Sequence, residues 1–294
     1  MTEQLLQTTD LVKHFRPPRS ARRRGQQVVH ALCGVSIHVE QGRTLGVVGE
    51  SGSGKTTLLR TLLGLETATA GTVEYAGEDV TAMSGAPARR FRADVSVVFQ
   101  DPYTSLDPRM TVSDLLTQPA KIQKQPFPTS RIFDLLDQVK LPRVSAGKFP
   151  HEFSGGQRQR IAIARALALE PKLIVLDEPV SALDVSVQAE IVALLRELQE
   201  QRDVSYLFVA HDLAVVADLS HDVGVMYGGQ MVEYGATSQV LYEPSHPYTR
   251  ALLAAVPVPD PRIERAKPPF LRPLWPTDDD LPKPCPHGNL IKNR

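Results

Sequence analysis

A glycine-rich run near the start of the chain has the residue types and spacing to bind phosphate groups. It fits the phosphate-loop pattern G-x-x-x-x-G-K-[ST] and consists of Gly49, Glu50, Ser51, Gly52, Ser53, Gly54, Lys55 and Thr56, with Thr57 following. Glycines let backbone N–H groups close around phosphate oxygens. We expect the run to bind a nucleotide, with Lys55 at the terminal phosphates and the Thr56 hydroxyl on Mg²⁺. An ordinary glycine-rich turn is the alternative.

An acidic pair later in the chain could supply the second half of a hydrolytic site. Asp177 and Glu178 follow the apolar run Leu173–Leu176. At the carboxyl end of a parallel strand, Asp177 would hold Mg²⁺ directly or through water, and Glu178 would orient or deprotonate an attacking water. Taken alone, such a pair is more often part of a solvated loop. Its occurrence with a phosphate loop favours the catalytic interpretation.

The surrounding elements indicate an α/β protein with a mostly parallel sheet. The apolar run Thr44–Val48 leads into the phosphate loop, and Thr57–Leu65 is predicted to be a helix. Continuous apolar runs at Leu173–Leu176 and Tyr206–Ala210 are typical of strands covered on both faces. Between them, Val187–Glu200 has its apolar residues on one helical face. Further strand-like runs occur at 35–39, 71–75 and 95–99.

The chain is predicted to form one nucleotide-binding domain over residues 1–255, with a helical insert at about 101–153. The insert is inferred from proline-punctuated helical pieces, such as Val112–Leu116 and Ile132–Val139. Prolines recur after Val256, which predicts an extended or poorly ordered tail over residues 256–294. The arginine-rich segment Arg16–Arg24 is predicted to be a loop.

Composition excludes several classes of protein. Lys+Arg and Asp+Glu are equal at 33 each, so net charge gives no support for nucleic-acid binding. No apolar stretch approaches the ~20 residues that span a bilayer, so any transport pathway must belong to other chains. Cys33 and Cys285 lie far apart and match no metal spacing or disulfide framework, which favours a reducing compartment. Because the only asparagines are Asn289 and Asn293, an Asn-Lys-x-Asp guanine-recognition motif is excluded.

A short motif before a predicted helix indicates which class of phosphate-loop protein the chain resembles. The run Phe153-Ser154-Gly155-Gly156-Gln157 resembles the signature sequence of the ATP-binding-cassette (ABC) family, with phenylalanine where leucine is more usual. The family's other motifs occur in order, namely Gln100, Ser181–Asp184 and His211. Locally, Ser154 and Gln157 also fit the capping box of a helix that continues through Arg158–Leu169. A plain capped surface helix is the alternative interpretation of this run.

The resemblance implies a fold and a role for each matching residue. The implied fold is a P-loop NTPase (RecA-like) core with a mostly parallel sheet, an antiparallel amino-terminal β subdomain and an inserted α-helical subdomain. The signature run would cap the γ-phosphate of ATP bound by a facing subunit. Gln100 would sense Mg²⁺ and the attacking water, and His211 would contact the γ-phosphate and brace Glu178. Asp184 matches the residue that communicates across the dimer. Phe15 is the candidate for stacking on adenine, against the alternative of a core phenylalanine.

Three segments resemble the ATPase subunits of bacterial peptide and nickel importers, namely Gln100–Pro108, Phe149–Phe153 and Glu243–Leu253. This branch implies ATP and Mg²⁺ as cofactors, two integral membrane permease subunits and a second ATP-binding subunit. An extracytoplasmic solute-binding protein would act indirectly, and the chain would lie peripherally on the cytoplasmic face of the membrane. Some relatives have a tail cysteine cluster thought to hold iron–sulfur. Because only Cys285 lies in this tail, we predict no such cluster.

Two other classes of function stay open. A soluble ABC ATPase acting on DNA or ribosomes would usually have paired cassettes or long coiled coils, and neither pattern is present. A regulatory nucleotide-binding partner without catalysis would not need Glu178, His211 and an intact signature run. A soluble ABC ATPase would not be found with integral membrane proteins. A regulatory partner would show no ATPase activity in the assembled complex.

Overall fold

The computed structural model describes residues 4–16, 28–255 and Cys285. Contacts between Cα atoms divide them into two compact units, which are described separately. The helical unit comprises residues 4–6, 39–44 and 75–210. The phosphate-loop unit comprises residues 7–16, 28–38, 45–74, 211–255 and Cys285. The predicted tail, apart from Cys285, and the predicted arginine-rich loop, apart from Arg16, lie outside the described residues.

Strands and helices alternate along most of the chain, as expected for an α/β protein. The strands are β1 (Gln4–Phe15), β2 (Val29–Glu40), β3 (Thr44–Val48), β4 (Ala70–Tyr75), β5 (Glu78–Asp79), β6 (Val95–Val98), β7 (Leu173–Asp177), β8 (Ser205–Val209), β9 (Asp222–Tyr227) and β10 (Gln230–Ala236). The α-helices are α1 (Lys55–Leu62), α2 (Gly85–Asp94), α3 (Pro102–Ser105), α4 (Val112–Gln123), α5 (Thr129–Gln138), α6 (Gly155–Ala166), α7 (Val185–Arg202), α8 (Leu213–Leu219), α9 (Thr237–Tyr242) and α10 (Pro247–Ala254). Short 3₁₀ helices occupy Arg143–Gly147, Pro150–Glu152 and Leu167–Leu169.

The helical unit contains a parallel sheet segment in which β7 lies between β6 and β8. Val175 of β7 is opposite Val97 on one side and Leu207 on the other. Every residue of β8 is buried, as are the first four residues of β7. Uninterrupted apolar sequence is needed for a strand covered on both faces. The strands predicted at Leu173–Leu176 and Tyr206–Ala210 are therefore confirmed.

The phosphate-loop unit contains a second parallel pairing. Here β9 pairs with β3 in parallel and with β10 in antiparallel fashion, with a register shift between Met231 and Glu233. In the amino-terminal sheet, which is antiparallel, β1 lies between β2 and β4. These pairings confirm the predicted mostly parallel sheet and the predicted antiparallel amino-terminal subdomain.

The predicted helical insert is built from short capped helices. Thr111 begins α4, since its side chain accepts a hydrogen bond from the Asp114 N–H, which satisfies a donor that the first turn leaves open. Lys124 ends α4 in the left-handed conformation. Leu115 and Leu116 of α4 are fully buried. The helical pieces predicted at Val112–Leu116 and Ile132–Val139 are confirmed within α4 and α5.

Helix α1 begins and ends earlier than its composition predicts. It starts at Lys55 rather than Thr57 because Gly54, with φ +108°, turns the loop directly into the helix. It ends at Leu62 rather than Leu65, and Gly64 follows with φ +68°, a conformation that stops helices and favours glycine. Among the described residues, the structure contains no helix of the length and apolarity that a membrane span requires.

Candidate functional site

The phosphate loop lies between β3 and α1, and its shape depends on glycine. Gly49 has φ +148° and Gly54 has φ +108°. A Cβ at Gly49 would collide with the Met226 carbonyl oxygen, and a Cβ at Gly54 would collide with the Ala31 carbonyl oxygen. Neither position tolerates a side chain, because both the dihedral angle and the close backbone approach exclude one.

Lys55 is held over this loop by the loop's own backbone. Its Nζ donates to the carbonyl oxygens of Gly49 at 2.6 Å and Glu50 at 2.9 Å. The side chain is buried, with 5% of the residue exposed. Thr56 in the first turn of α1 is exposed, and Thr57 is half-buried. A fixed ammonium group and a helix N-terminus on one loop form a binding site for anions.

The loop is also braced by a residue that sequence reasoning did not single out. The Glu50 N–H donates to the hydroxyl oxygen of Tyr248 at 3.2 Å. Tyr248 lies in α10, is fully buried and packs against the Tyr227 ring at 4.5 Å between centroids. Burial raises the pKa of its hydroxyl to about 12. The only sequence signal was the segment Glu243–Leu253, which was used for its family resemblance and not for contact with the loop.

In the helical unit, the acidic pair sits at the end of β7. Asp177 is the last residue of the strand and lies opposite Val209. Glu178 turns the chain sharply, with φ +47°, and its N–H donates to the Val209 carbonyl at 2.9 Å. A left-handed glutamate is unusual and strained, and such strain is concentrated at functional sites.

Gln100 contacts this glutamate directly. Its Nε2 donates to Oε2 of Glu178 at 2.7 Å. Gln100 is exposed, whereas only 9% of Glu178 is exposed. Two residues 78 positions apart in sequence are thus joined by a contact that the sequence did not predict. The amide fixes the direction in which the carboxylate points.

The signature run forms the predicted capped helix start. The Gln157 N–H donates to Ser154 Oγ at 3.4 Å, and the Ser154 N–H donates to Gln157 Oε1 at 3.1 Å. The helix α6 then runs to Ala166 and continues as a 3₁₀ turn to Leu169, so the predicted capping box and helix are confirmed. Gly156 lies against Val187 of α7, where a Cβ would clash with the Val187 side chain.

Two arginines connect α6 to the segment that follows Gln100. The Arg158 guanidinium lies 4.0 Å from the centre of the Tyr103 ring, within the range of a cation–π contact. An Arg165 guanidinium N–H donates to the Ser105 carbonyl at 2.6 Å. Burial lowers the pKa of Arg165. These two contacts link the residues after Gln100 to the signature helix.

Three other predicted site residues lie at element ends. Asp184 begins α7 by accepting the Val187 N–H at 3.0 Å, and a hydrogen bond from Ser186 lowers its pKa. His211 is exposed and immediately precedes Asp212, which begins α8. Phe15 is the last residue of β1, is 38% exposed and has Lys13 Nζ 4.8 Å from its ring centre. Its exposure rules out the core-phenylalanine alternative, while adenine stacking stays a prediction.

The predicted Mg²⁺ ligands fit that ion chemically. Thr56, Gln100 and Asp177 offer a hydroxyl, an amide oxygen and a carboxylate, which are the hard oxygen donors that Mg²⁺ prefers. Thr56 belongs to the phosphate-loop unit, and the other two belong to the helical unit.

The prediction that the two cysteines form no disulfide framework was wrong, because the fold brings them together. Cys33 and Cys285 are joined, with their Cα atoms 5.4 Å apart and 252 positions between them in sequence. His14 and His30 lie beside them. Sequence spacing missed this group because residues of β1, residues of β2 and Cys285 come together only in the folded chain.

Comparison with known proteins finds similar sequences along nearly the whole chain. The profile described as ABC transporter matches residues 32–181, and the oligopeptide/dipeptide transporter C-terminal region matches residues 232–287. The oligopeptide transport ATP-binding protein OppF of Salmonella typhimurium is 44% identical, covering 99% of this chain and 88% of that protein. The oligopeptide transport ATP-binding protein OppD of Mycobacterium bovis is 52% identical over 85% of this chain but only 42% of that protein. The chain therefore spans less than half the length of this second relative.

Solved structures with a similar fold include two cassettes. One is the dimeric, post-hydrolysis structure of the ATP-binding cassette MJ0796 bound to ADP and Pi, with a TM-score of 0.69 and 25% identity over 79% of this chain and 99% of that chain. The other is cbiO1 from Clostridium perfringens, part of the ABC transporter complex cbiONQ, with a TM-score of 0.71 and 25% identity over 90% of this chain and 98% of that chain. Both agree with the predicted fold.

Proposed function

The chain belongs to the ABC transporter family, and from this premise we propose that it is the ATP-hydrolysing subunit of an importer for oligopeptides or a related small solute such as nickel. The observation that supports catalysis most directly is the buried Glu178 carboxylate held by Gln100 at 2.7 Å. The support for peptides is the match of residues 232–287 to the oligopeptide/dipeptide transporter C-terminal region.

The phosphate loop would bind the triphosphate of ATP. Its backbone N–H groups and the start of α1 attract the phosphate oxygens, and Lys55 would exchange its carbonyl contacts for the terminal phosphates. Thr56, Asp177 and Gln100 would hold Mg²⁺, which neutralises charge on the phosphates when bound. Phe15 would stack on the adenine.

Glu178 would act on the attacking water. The water oxygen forms a bond to the γ-phosphorus while the bond between that phosphorus and the bridging oxygen breaks, and ADP leaves. The water proton passes to the Glu178 carboxylate, which Gln100 keeps oriented. His211 would contact the γ-phosphate and brace Glu178, as the family resemblance implies.

A second anion site on the same chain favours a two-cassette assembly. The N-terminus of α6, capped by Ser154 and exposed, is separate from the phosphate loop in sequence. We assign Ser154, Gly155, Gly156 and Gln157 to the γ-phosphate of ATP held by a second ATP-binding subunit, which is identical or homologous. Asp184 would communicate between the two subunits across that contact. ATP then stabilises the closed pair, and hydrolysis reopens it.

A groove in the helical unit is suited to a membrane partner. It has a volume of about 300 Å³ and is lined in part by Phe99, Ile122 and Arg165. Phe99 is 42% exposed and Ile122 is 73% exposed, so apolar side chains face solvent beside the half-buried Arg165. We assign this groove to one of two integral membrane permease subunits. The chain would then lie peripherally on the cytoplasmic face, and an extracytoplasmic solute-binding protein would act without touching it.

The test is Glu178→Gln in the assembled complex with its membrane subunits. Loss of one general base is expected to reduce ATP turnover by about 10²–10⁴-fold while ATP binding persists and the closed two-cassette state accumulates. Glu200→Gln, on the exposed face of α7 in the same unit, is the matched control and should keep full turnover. Unchanged turnover in Glu178→Gln would remove Glu178 from its role.

Reconstitution separates this proposal from its rivals. A transporter subunit should hydrolyse ATP faster in vesicles containing the permease subunits and accumulate peptide inside vesicles of the correct orientation. A soluble ABC ATPase acting on DNA or ribosomes should show no such stimulation. A regulatory partner should bind ATP in the complex without measurable turnover of its own.

A further inference from the structure

A group of metal-ligating side chains lies in the phosphate-loop unit and has no part in the nucleotide chemistry. His14 is on β1, His30 and Cys33 are on β2, and Cys285 lies in the tail. Their ligand atoms all lie within 4.8 Å of one another. His14 is 7% exposed and Cys33 is 5% exposed. The group is thus shielded on the strand side and half-buried at His30 and Cys285.

The distances suit one small ion. His30 Nδ1 lies 3.0 Å from His14 Nε2, which in turn lies 3.4 Å from Cys285 Sγ. Around a tetrahedral zinc ion with bonds of about 2.0–2.3 Å, ligand atoms are about 3.3–3.8 Å apart. A two-iron cluster would place its histidine and cysteine ligands on different irons, and the 4.8 Å limit on this group favours a single centre.

The donor set selects the kind of metal. Two imidazoles and two thiolates form the Cys₂His₂ set of structural zinc sites. Soft sulfur ligands disfavour Mg²⁺ and Ca²⁺, which prefer oxygen. We infer that His14, His30, Cys33 and Cys285 bind one Zn²⁺ ion when the Cys33–Cys285 pair is reduced.

Whether the two cysteines are oxidised or reduced depends on the cellular compartment. In this step the inference rests on the proposed function, which places the chain in the cytoplasm. The structure joins Cys33 to Cys285, but disulfides persist mainly in oxidising compartments, and a cytoplasmic ATPase meets reduced thiols. Two molecules of a cellular thiol such as glutathione would supply the two electrons and two protons and be oxidised to one disulfide, which leaves two protein thiols. Each thiol then loses its proton to solvent as its sulfur binds Zn²⁺.

The site is connected to the phosphate loop by two backbone hydrogen bonds. The Cys33 N–H donates to the Gly229 carbonyl at 2.8 Å, and the Gly229 N–H donates to the Ser53 carbonyl at 2.9 Å. Ala31, which lies between the two ligands of β2, presents the carbonyl that Gly54 approaches. An ion that fixes β2 between His30 and Cys33 would therefore also fix the support of the phosphate loop.

The test measures metal content in the full chain, in complex with its partners, purified with a thiol reductant and without metal-affinity steps. Elemental analysis should find about one zinc per chain, and Co²⁺ exchanged into the site should give the visible bands of tetrahedral thiolate coordination. Cys285→Ser and His30→Asn should each reduce bound zinc at least about tenfold, in line with the loss of one ligand. His38→Asn, on the same strand but outside the group, should retain the metal.

Each contrary result is distinct. The inference fails if the reduced wild type contains no zinc, if the cysteines remain bonded to each other under reducing conditions, or if iron with inorganic sulfide is found instead. It also fails if both ligand variants keep their zinc. Because metal content is measured independently of ATP turnover, these outcomes are separate from failure of the proposed transport function.

Discussion

The phosphate loop and the Gln100–Glu178 pair serve one proposed reaction, yet they are held in place by different kinds of contact. The loop is shaped by backbone, since Gly49 and Gly54 have positive φ and press against carbonyl oxygens. The pair is joined by a hydrogen bond between side chains at 2.7 Å. The first arrangement is set when the chain folds, whereas the second can break and re-form without unfolding anything.

This difference indicates which of the two regions could respond to partner subunits. A backbone-built loop offers constant affinity for phosphate. A carboxylate oriented by an exposed glutamine can change direction when the segment after Gln100 moves. Binding should therefore be robust and turnover adjustable, and substitutions in the two regions should separate these properties.

Among the substitutions that test this comparison, the largest effect is expected from Gly54→Ala. The added Cβ would meet the Ala31 carbonyl oxygen at a φ of +108°, and strain of about 3 kcal/mol corresponds to a loss of about 150-fold in ATP affinity. Calorimetric titration with ATP would measure it. Gly147→Ala is the matched control because a Cβ there meets nothing within 4 Å. Equal ATP affinity in the two variants would show that the loop accepts a side chain at residue 54. It would contradict the view that the backbone fixes the shape of the loop.

A smaller effect, confined to turnover, is expected from Gln100→Ala. Removing a hydrogen bond to a charged carboxylate is worth about 1.5–3 kcal/mol, so kcat of the assembled complex should fall about 10–150-fold. The KM for ATP should stay nearly constant because Thr56 and Asp177 would still hold Mg²⁺. Gln201→Ala, exposed at the end of α7, serves as control. A rise in KM without a fall in kcat would mean that Gln100 acts in binding and would sink its assignment as a positioning residue for Glu178.

The smallest effect is expected from Tyr248→Phe, which tests the brace on the loop. Loss of the acceptor for the Glu50 N–H should weaken ATP binding by up to about tenfold, from a neutral hydrogen bond of about 0.5–1.5 kcal/mol. Because burial raises the pKa of Tyr248 to about 12, its neutral form stabilises the fold fully below pH 10, and this contribution is lost as pH rises from 10 towards 12. Unfolding followed across that range should show a step that is absent in Tyr248→Phe. Tyr242 is 79% exposed, so Tyr242→Phe should behave as wild type. If Tyr248→Phe kept the wild-type step, the titration would belong to another residue.

Local patterns allowed much of this site to be predicted from the sequence. The phosphate loop, the apolar strand before Asp177 and the Ser154–Gln157 capping box each depend on residues within a few positions of one another. Such short-range patterns report backbone conformation directly. The roles of these residues in catalysis stay predictions, because they concern ligands and partners.

The contacts that were not predicted join residues that are far apart in the sequence. Tyr248 and Glu50 are 198 positions apart, and Cys33 and Cys285 are 252 apart. No periodicity or spacing indicates that such residues meet. The positive φ of Glu178 was also unpredictable, since glutamate has no preference for that conformation, and the hydrogen bond from its N–H to Val209 joins residues 31 positions apart in sequence.

The helix α6 has a consequence for the proposed coupling of transport to hydrolysis. It is a rod of 12 residues, roughly 18 Å long at about 1.5 Å per residue. Ser154 caps one end, and Arg165 grips the Ser105 backbone near the other, beside the groove that Phe99 and Ile122 line. A membrane subunit that tilts the groove end by a few degrees would displace the capped end by about an ångström, which is enough to make or break a contact with a phosphate oxygen. Movement would then pass from the membrane subunit to the nucleotide because α6 is rigid, without any change of fold.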